Sequence, residues 1–278
     1  MRGSLTTMSG RQPAAIWLYR GMMRFRFELV PVDEVSPWGS AGSRRLHWFA
    51  LTEGWFCLEM GGIELLRYTE QTMATFPREG DQAPPWVDYY VVRLWEDILH
   101  ALPYILEPVP DDLAGFVAAG STEWVDTDEV LDNTQIDAAY DSHGQRCIDT
   151  GYLRFGPVLR WWRTVDPVDT VTVAWQFSVD PDGEIAFTAP LSGRVSVGTD
   201  EFIDAVTDFD HRLFELMQQR VDRLAATGAP VGIELDTALL IQEQAERHTL
   251  LPRALAQQVG TDWDAVRAGV PILAPHQM

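Results

Sequence analysis

Lysine is missing from this chain altogether: all 21 basic residues are arginines, set against 41 acidic residues, for a formal charge of −20 over 278 residues. A field of that sign repels phosphate backbones, which disfavours general nucleic-acid binding in spite of the tempting "RWWR" at Arg160 to Arg163. Arginine without lysine, alongside much Ala, Val, Asp and Gly, also points to a GC-rich genome. Long apolar runs are missing too. None approaches the roughly 18–20 residues that cross a bilayer, so no membrane span is expected.

Cysteine is nearly absent. Cys57 and Cys147 allow one disulfide at most and match no zinc-site spacing. Cys57 falls in a hydrophobic strand pattern, where a free thiol behaves as a small apolar side chain. Both are read as reduced and the compartment as cytoplasmic. The glycines form neither G-x-G-x-x-G nor a phosphate loop, and no nucleophile elbow occurs. No cofactor and no metal are expected.

What is present is material for a core, with hydrophobic residues at 46% of the chain. Regular patterning begins at Met23. The preceding "MRGSLTTMSGRQPAAIWLYRGM" has an apolar stretch, "AAIWLY", shorter than a signal-peptide core of about 7–15 residues. Residues 1–22 are therefore expected to be a dispensable extension, an overlong translation start or a loose arm.

From Met23, Phe25, Phe27 and Leu29 alternate with charged residues in the period-two pattern of a half-buried strand. Residues 46–51 read as a second strand. Residues 55–60 read as a third, with Trp55, Cys57 and Glu59 on one face and Phe56, Leu58 and Met60 on the other. Gly61-Gly62 is a two-residue turn, and "IELLRYT" completes the hairpin. Pro84-Pro85 is read as pre-setting a helix on which Val87, Val91, Leu94, Ile98 and Leu102 recur, ended or kinked by Pro103. Asp111 and Asp112 are read as capping a short helix closed by Gly120, and a further helix is placed from about Asp128 to Tyr140. Strand-like segments follow in "GYLRFGPVLRWWRT", "DTVTVAWQFSV", "EIAFTAP" and "GRVSV", with "DPDG" as a turn. Thr199 is then read as capping a long helix with Phe202, Val206, Phe209, Leu213 and Met217 in its apolar stripe and Gly228 at its end. Smaller helices close the chain, "LDTALLIQEQAERH" and a Thr261-capped "DWDAVRAG".

The expected fold is α+β: antiparallel β-meanders each followed by a long helix, with a small helical C-terminal tail. Residues 23–278 read as a single domain, divided into a first strand–helix half (23–108), a helical connector (109–150), a second half (151–228) and the tail (229–278). Matching Gly54 to Gly183 and Thr69 to Thr199 suggests an internal duplication, although convergent meander grammar produces the same match.

Three clusters invite a chemical reading. Asp204, Asp208, His211 and Glu215 share one helix face, but that face points away from the apolar stripe, so it reads as a solvated surface with a His211–Glu215 pair. Ser142, His143 and Cys147, beside Asp141, place nucleophiles near a base, yet local adjacency is not triad geometry and His143 reads as a turn residue. Arg93 could anchor an anion, with a local Arg–Glu pair to Glu96 preferred. The tryptophans are harder to set aside. Of the 11, Trp38, Trp55, Trp86, Trp124 and Trp263 fall at element edges or loops, where such rings anchor partners as well as fill cores.

The segments "FRFELVPVDEVSPWG", "LHWFALTEGWFCLEMGG", "VDYYVVRLWEDIL", "DTGYLRFGPVLRWWR" and "TDWDAVRAG" together resemble an actinomycete family of uncharacterised proteins. The resemblance runs from about Met23 to the last helix and implies no activity and no catalytic residue. Two functions stay open. The first is a protein-binding or immunity-type module that meets a protein with a basic surface through Trp38, Trp55, Trp86, Arg93, Trp124 and Trp263. The other is a metal-independent enzyme with an unrecognised site.

Overall fold

The computed structural model describes residues 22–40, 42–78, 83–119, 124, 133–228 and 230–275. Apart from the exposed Met22, the expected extension at residues 1–22 lies outside the described residues. The elements are β1 (Met23–Leu29), β2 (Arg45–Leu46), a 3-10 turn (Ala50–Thr52), β3 (Glu53–Met60), β4 (Ile63–Glu64), α1 (Glu70–Thr75), β5 (Val87–Tyr90), α2 (Val91–Leu106), α3 (Asp111–Ala118) and α4 (Thr134–Gly144). There follow β6 (Cys147–Asp149), β7 (Pro157–Thr164), β8 (Thr170–Phe177), β9 (Ser192–Gly198), α5 (Thr199–Thr227), β10 (Glu234–Leu235), α6 (Thr237–Arg247), α7 (Leu250–Ala256) and α8 (Trp263–Leu273). The fold is α+β, as the grouping of strand patterns apart from helix patterns implies, and the C-terminal helices are present.

Period-two alternation forms β1: Met23, Phe25 and Phe27 are buried while Arg24 and Glu28 face out. β1 pairs antiparallel with β3, Phe25 opposite Leu58 and Phe27 opposite Phe56. At Gly54 the strands come so close that an added Cβ would lie 2.2 Å from the Glu28 carbonyl oxygen. Gly61 and Gly62 turn the chain at φ 54° and 80°, the positive values that the tight turn demands. β4 and β5 both pair with β3, so the first sheet is centred on that strand. The second sheet follows the chain, β6-β7-β8-β9, antiparallel throughout. This difference bears on the Gly54–Gly183 match, which joins a strand residue to a turn residue at φ 67°.

One hydrophobic cluster takes the inner faces of both sheets together with α2 and α5; Phe25 stacks on Phe209 at 4.9 Å and Trp161 tilts against Phe202 at 5.6 Å. The α5 stripe is buried as its spacing implies, and Gly228 ends the helix at φ 74°. Burying each Leu- or Phe-sized chain is worth about 1.5–3 kcal/mol, which is what presses helix and sheets together. A second cluster covers part of the outer face of the second sheet, where Trp162 and Ala174 meet α3, α4 and α8. Gly269 lets α8 lie on α4: an added Cβ would fall 1.9 Å from the Gln135 carbonyl oxygen. The tail is pinned to the front of the chain. β10 pairs in parallel with β2, and Trp48 Nε1–H donates to Gln244 Oε1 at 2.7 Å.

Several local expectations change. Residues 46–51 make only the short β2, a turn and the 3-10 helix, because Leu46, Trp48, Ala50 and Leu51 are all buried and strand alternation could not bury both sets. Residues 87–90, expected in a helix, form β5, since pairing with β3 holds them extended. α2 continues through Pro103 to Leu106, and the Glu107 N–H closes onto the Pro103 carbonyl. No side chain caps α3; Asp111 and Asp112 occupy its first turn. α4 starts at Thr134 under an Asn133 cap, and the expected start near Asp128, like Gly120, lies outside the described residues. "EIAFTAP" is a loop held by the Thr72 hydroxyl, which donates to the Glu184 carbonyl and accepts from the Ala186 N–H, and by a single bridge from Phe187 to Tyr68. Gly198 caps α5, leaving the Thr199 hydroxyl to donate to Asp169; Asp262, not Thr261, caps α8.

Candidate functional site

β5 runs straight into α2, so Tyr89 and Tyr90 stand at the end of the first sheet with no loop between strand and helix. Tyr90 is met there by Trp38, which is 44% exposed and donates its indole N–H to the Tyr90 hydroxyl at 2.7 Å. Trp38 also presents an edge to His47, with ring centres 4.4 Å apart. Beside these rings lies a groove of about 420 Å³ lined by Trp55, Tyr89 and Tyr90 and flanked by Glu53 and Asp88. Burial pushes the Tyr90 phenol above its ordinary pKa, while the Trp38 hydrogen bond opposes the shift. Arg78 also borders the groove, but its guanidinium donates to the carbonyls of Pro84 and Trp86 and pairs with Asp88 at 3.0 Å. The Asp88 side chain remains 67% exposed. What faces solvent is aromatic surface edged by carboxylate.

The structure separates the residues singled out from sequence. Trp38 and Trp55 flank the groove. Arg93 sits behind it: its guanidinium lies 5.6 Å from the Tyr152 ring, which stacks on Tyr89 at 4.7 Å. Its ion partner is Asp97 at 3.1 Å, not Glu96, which pairs with Arg247 instead. Burial raises the Asp97 carboxyl above its ordinary value, and the Arg93 charge opposes that. Trp86 is buried at 5% and supports the Arg26 guanidinium 4.6 Å from its ring centre, a framework position. Trp263 covers the fully buried Arg146 at 4.9 Å. Trp124 belongs to a different place.

That place is a cleft of about 540 Å³ between α4 and the uncovered end of the second sheet, lined among others by Trp124, Tyr140, His143, Cys147, Arg160 and Gln176. Here the "DSHGQRC" stretch resolves. Ser142 is buried and its hydroxyl donates to the Ala139 carbonyl at 3.0 Å. His143 is a buried helix residue, not a turn residue, with Nε2 3.0 Å from the Ala119 carbonyl oxygen. A carbonyl only accepts, so the proton is on Nε2, leaving Nδ1 to accept from the Cys147 thiol 3.5 Å away. Burial pushes that thiol up to about 11 and holds the imidazole below its ordinary value. The pair is a neutral thiol beside a neutral base, the reverse of an activated nucleophile.

Asp204, Asp208, His211 and Glu215 all lie exposed along α5, and the pair there is Asp208 with Arg212 at 3.6 Å, in place of the expected His211–Glu215. Among the described residues no three His, Cys, Asp or Glu side chains group to hold a metal. No helix among them is long and apolar enough to cross a membrane.

A family model matches residues 24–269. The chain belongs to DUF5984, a family of unknown function. No curated protein and no solved structure matches it. The match starts one residue after the regular patterning does and takes in both the groove and the cleft. Sequence reasoning missed Tyr89, Tyr90, Tyr140 and Gln176 as surface groups. The doubled aromatic after Pro84-Pro85 was an available signal for β5, since Val and Tyr favour strands.

Proposed function

We propose that this protein is a binding module, of the kind that neutralises or scaffolds another protein, and that its groove receives a basic segment of that partner. The observation that carries this reading is the joining of Trp38, Trp55, Tyr89 and Tyr90 with Glu53 and Asp88 at one exposed edge. Aromatic faces attract a lysine or arginine head group by about 0.5–2 kcal/mol, and the carboxylates complement its charge. The −20 charge steers such a partner from a distance. Both cysteines are free, which supports a reducing, cytoplasmic setting, and the arginine-only set of bases fits an actinomycete genome. The alternative, a metal-independent enzyme, has less support, because the one thiol–imidazole pair among the described residues is held neutral.

The test is calorimetric titration with a lysine-rich peptide and its glutamate-for-lysine counterpart, followed by hydrogen exchange on the complex. Only the lysine peptide should bind, more weakly as salt rises, with protection at residues 53–55 and 88–90. Trp38→Ala and Trp55→Ala should each weaken binding by about 2 kcal/mol. Unchanged affinity in both variants, or protection elsewhere, overturns the reading.

A further inference from the structure

We propose that the cleft between α4 and the second sheet binds a small aromatic monocarboxylate, with Arg160 as its anion anchor. The inference stands apart from the groove and does not depend on its function. Arg160 is only 8% exposed, yet the one hydrogen bond its side chain makes among the described residues runs from Nε to the Ala118 carbonyl at 3.3 Å. In a chain with 41 acids, no described carboxylate forms an ion pair with it. Buried charges are ordinarily paired, because an uncompensated one loses its hydration and gains nothing in return. A second donor in the same cleft is also unmatched: Trp124 Nε1–H is buried with no acceptor among the described residues. Guanidinium and indole N–H groups donate and never accept, so both call for an oxygen acceptor, and the guanidinium calls for a charged one.

The remaining walls narrow the ligand. His143 contributes no charge, since its two nitrogens are taken by Ala119 and Cys147. The Trp124 and Tyr140 rings, edge-to-face at 5.8 Å, suit an aromatic body. Arg160 stands opposite Cys147 in the β6–β7 register, and the exposed Asp149 lies two residues farther along β6, about 7 Å away along the strand. A second negative group on the ligand would meet that carboxylate, which selects a monoanion over a dianion.

The probes are benzoate, phenylacetate and indole-3-acetate, each with its neutral amide, together with terephthalate and inorganic phosphate, titrated into the full chain by calorimetry and tryptophan emission. At least one monocarboxylate should bind, with its amide, terephthalate and phosphate each at least tenfold weaker. Arg160→Gln should remove the binding, and Tyr140→Ala, at the exposed rim, should weaken it severalfold without altering the fold. Without ligand, Arg160→Gln should melt no lower than wild type, because no described carboxylate pairs with the arginine. The proposal is overturned if none of the three acids binds, if amide, dianion or phosphate binds as well as the monocarboxylate, or if Arg160→Gln alone melts markedly lower.

Discussion

Arg146 and Arg160 are near neighbours: Arg160 pairs in register with Cys147, and the Arg146 carbonyl accepts from the next residue, Trp161, at 2.9 Å. Their surroundings are opposite. Arg146 is 0% exposed and its charge is paired: it donates to Glu107 at 2.6 Å and to the Ser142 carbonyl at 2.8 Å beneath the Trp263 ring, and only its Nε has no acceptor among the described residues. Glu107 in turn accepts from the Thr261 backbone N–H at 2.9 Å, so one ion pair ties the end of α2, the start of β6 and the approach to α8. Arg160 has the burial without a counter-charge among the described residues. A buried charge whose partners come from three elements holds the fold together. One with no described counter-charge is where the proposed carboxylate would dock.

The largest expected effect tests the first half of that contrast. Arg146→Ala strands the Glu107 carboxylate in the interior and should cost about 3–5 kcal/mol, read as the shift in urea midpoint at constant slope. An effect no larger than that of Arg160→Gln would erase the distinction between the two arginines.

Next is the clamp that carries Trp263 over Arg146. Gly269→Ala puts a methyl group onto the Gln135 carbonyl and should cost about 1–3 kcal/mol by forcing α8 off α4. If α8 is what keeps Arg146 dry, hydrogen exchange should quicken at Cys147 and Ile148 in this variant. Unchanged exchange there would show that the ion pair does not need the helix.

The smallest effect is a pH dependence that reports on Arg160. Burial, and to a lesser degree the Arg160 charge, holds His143 below its ordinary 6.5. The unfolded chain therefore takes up a proton near pH 6.5 that the folded chain resists, so stability should fall as pH drops through that value and continue falling until the folded imidazole titrates. His47, also lowered by burial, contributes in the same direction. His143→Gln should flatten part of the acid limb of Tm against pH between 7 and 5. Arg160→Gln should flatten it less, by releasing one of the two constraints. A limb that steepens in either variant contradicts this account.

Much of the fold could be read from local pattern. The alternation of Met23, Phe25 and Phe27, the Gly61-Gly62 turn and the α5 stripe ending at Gly228 all depend on neighbours a few residues away, and all formed as their spacing implied. Residues 87–90 did not, because a Val- and Tyr-rich segment after two prolines suits an extended or a helical backbone, and only the open edge of β3 decides between them. The caps shifted for a similar reason: Thr199 and Thr261 found better bonds with Asp169 and Glu107 than with their own helices.

The sites divide along the same line. Composition by itself determined the charge, the limit of one disulfide and the surplus of aromatic rings. Which rings meet solvent was decided by layering: Trp55 lies in β3 and Trp86 just before β5, which pairs with it, yet Trp86 is covered by Arg26 and Trp55 borders a groove. The neutral Cys147–His143 pair came from burial, which no spacing reveals. Above all, that Arg160 lacks a carboxylate among the described residues of so acidic a chain is a property of tertiary distance, since desolvation and pairing depend on what packs within a few ångströms and sequence order does not record it.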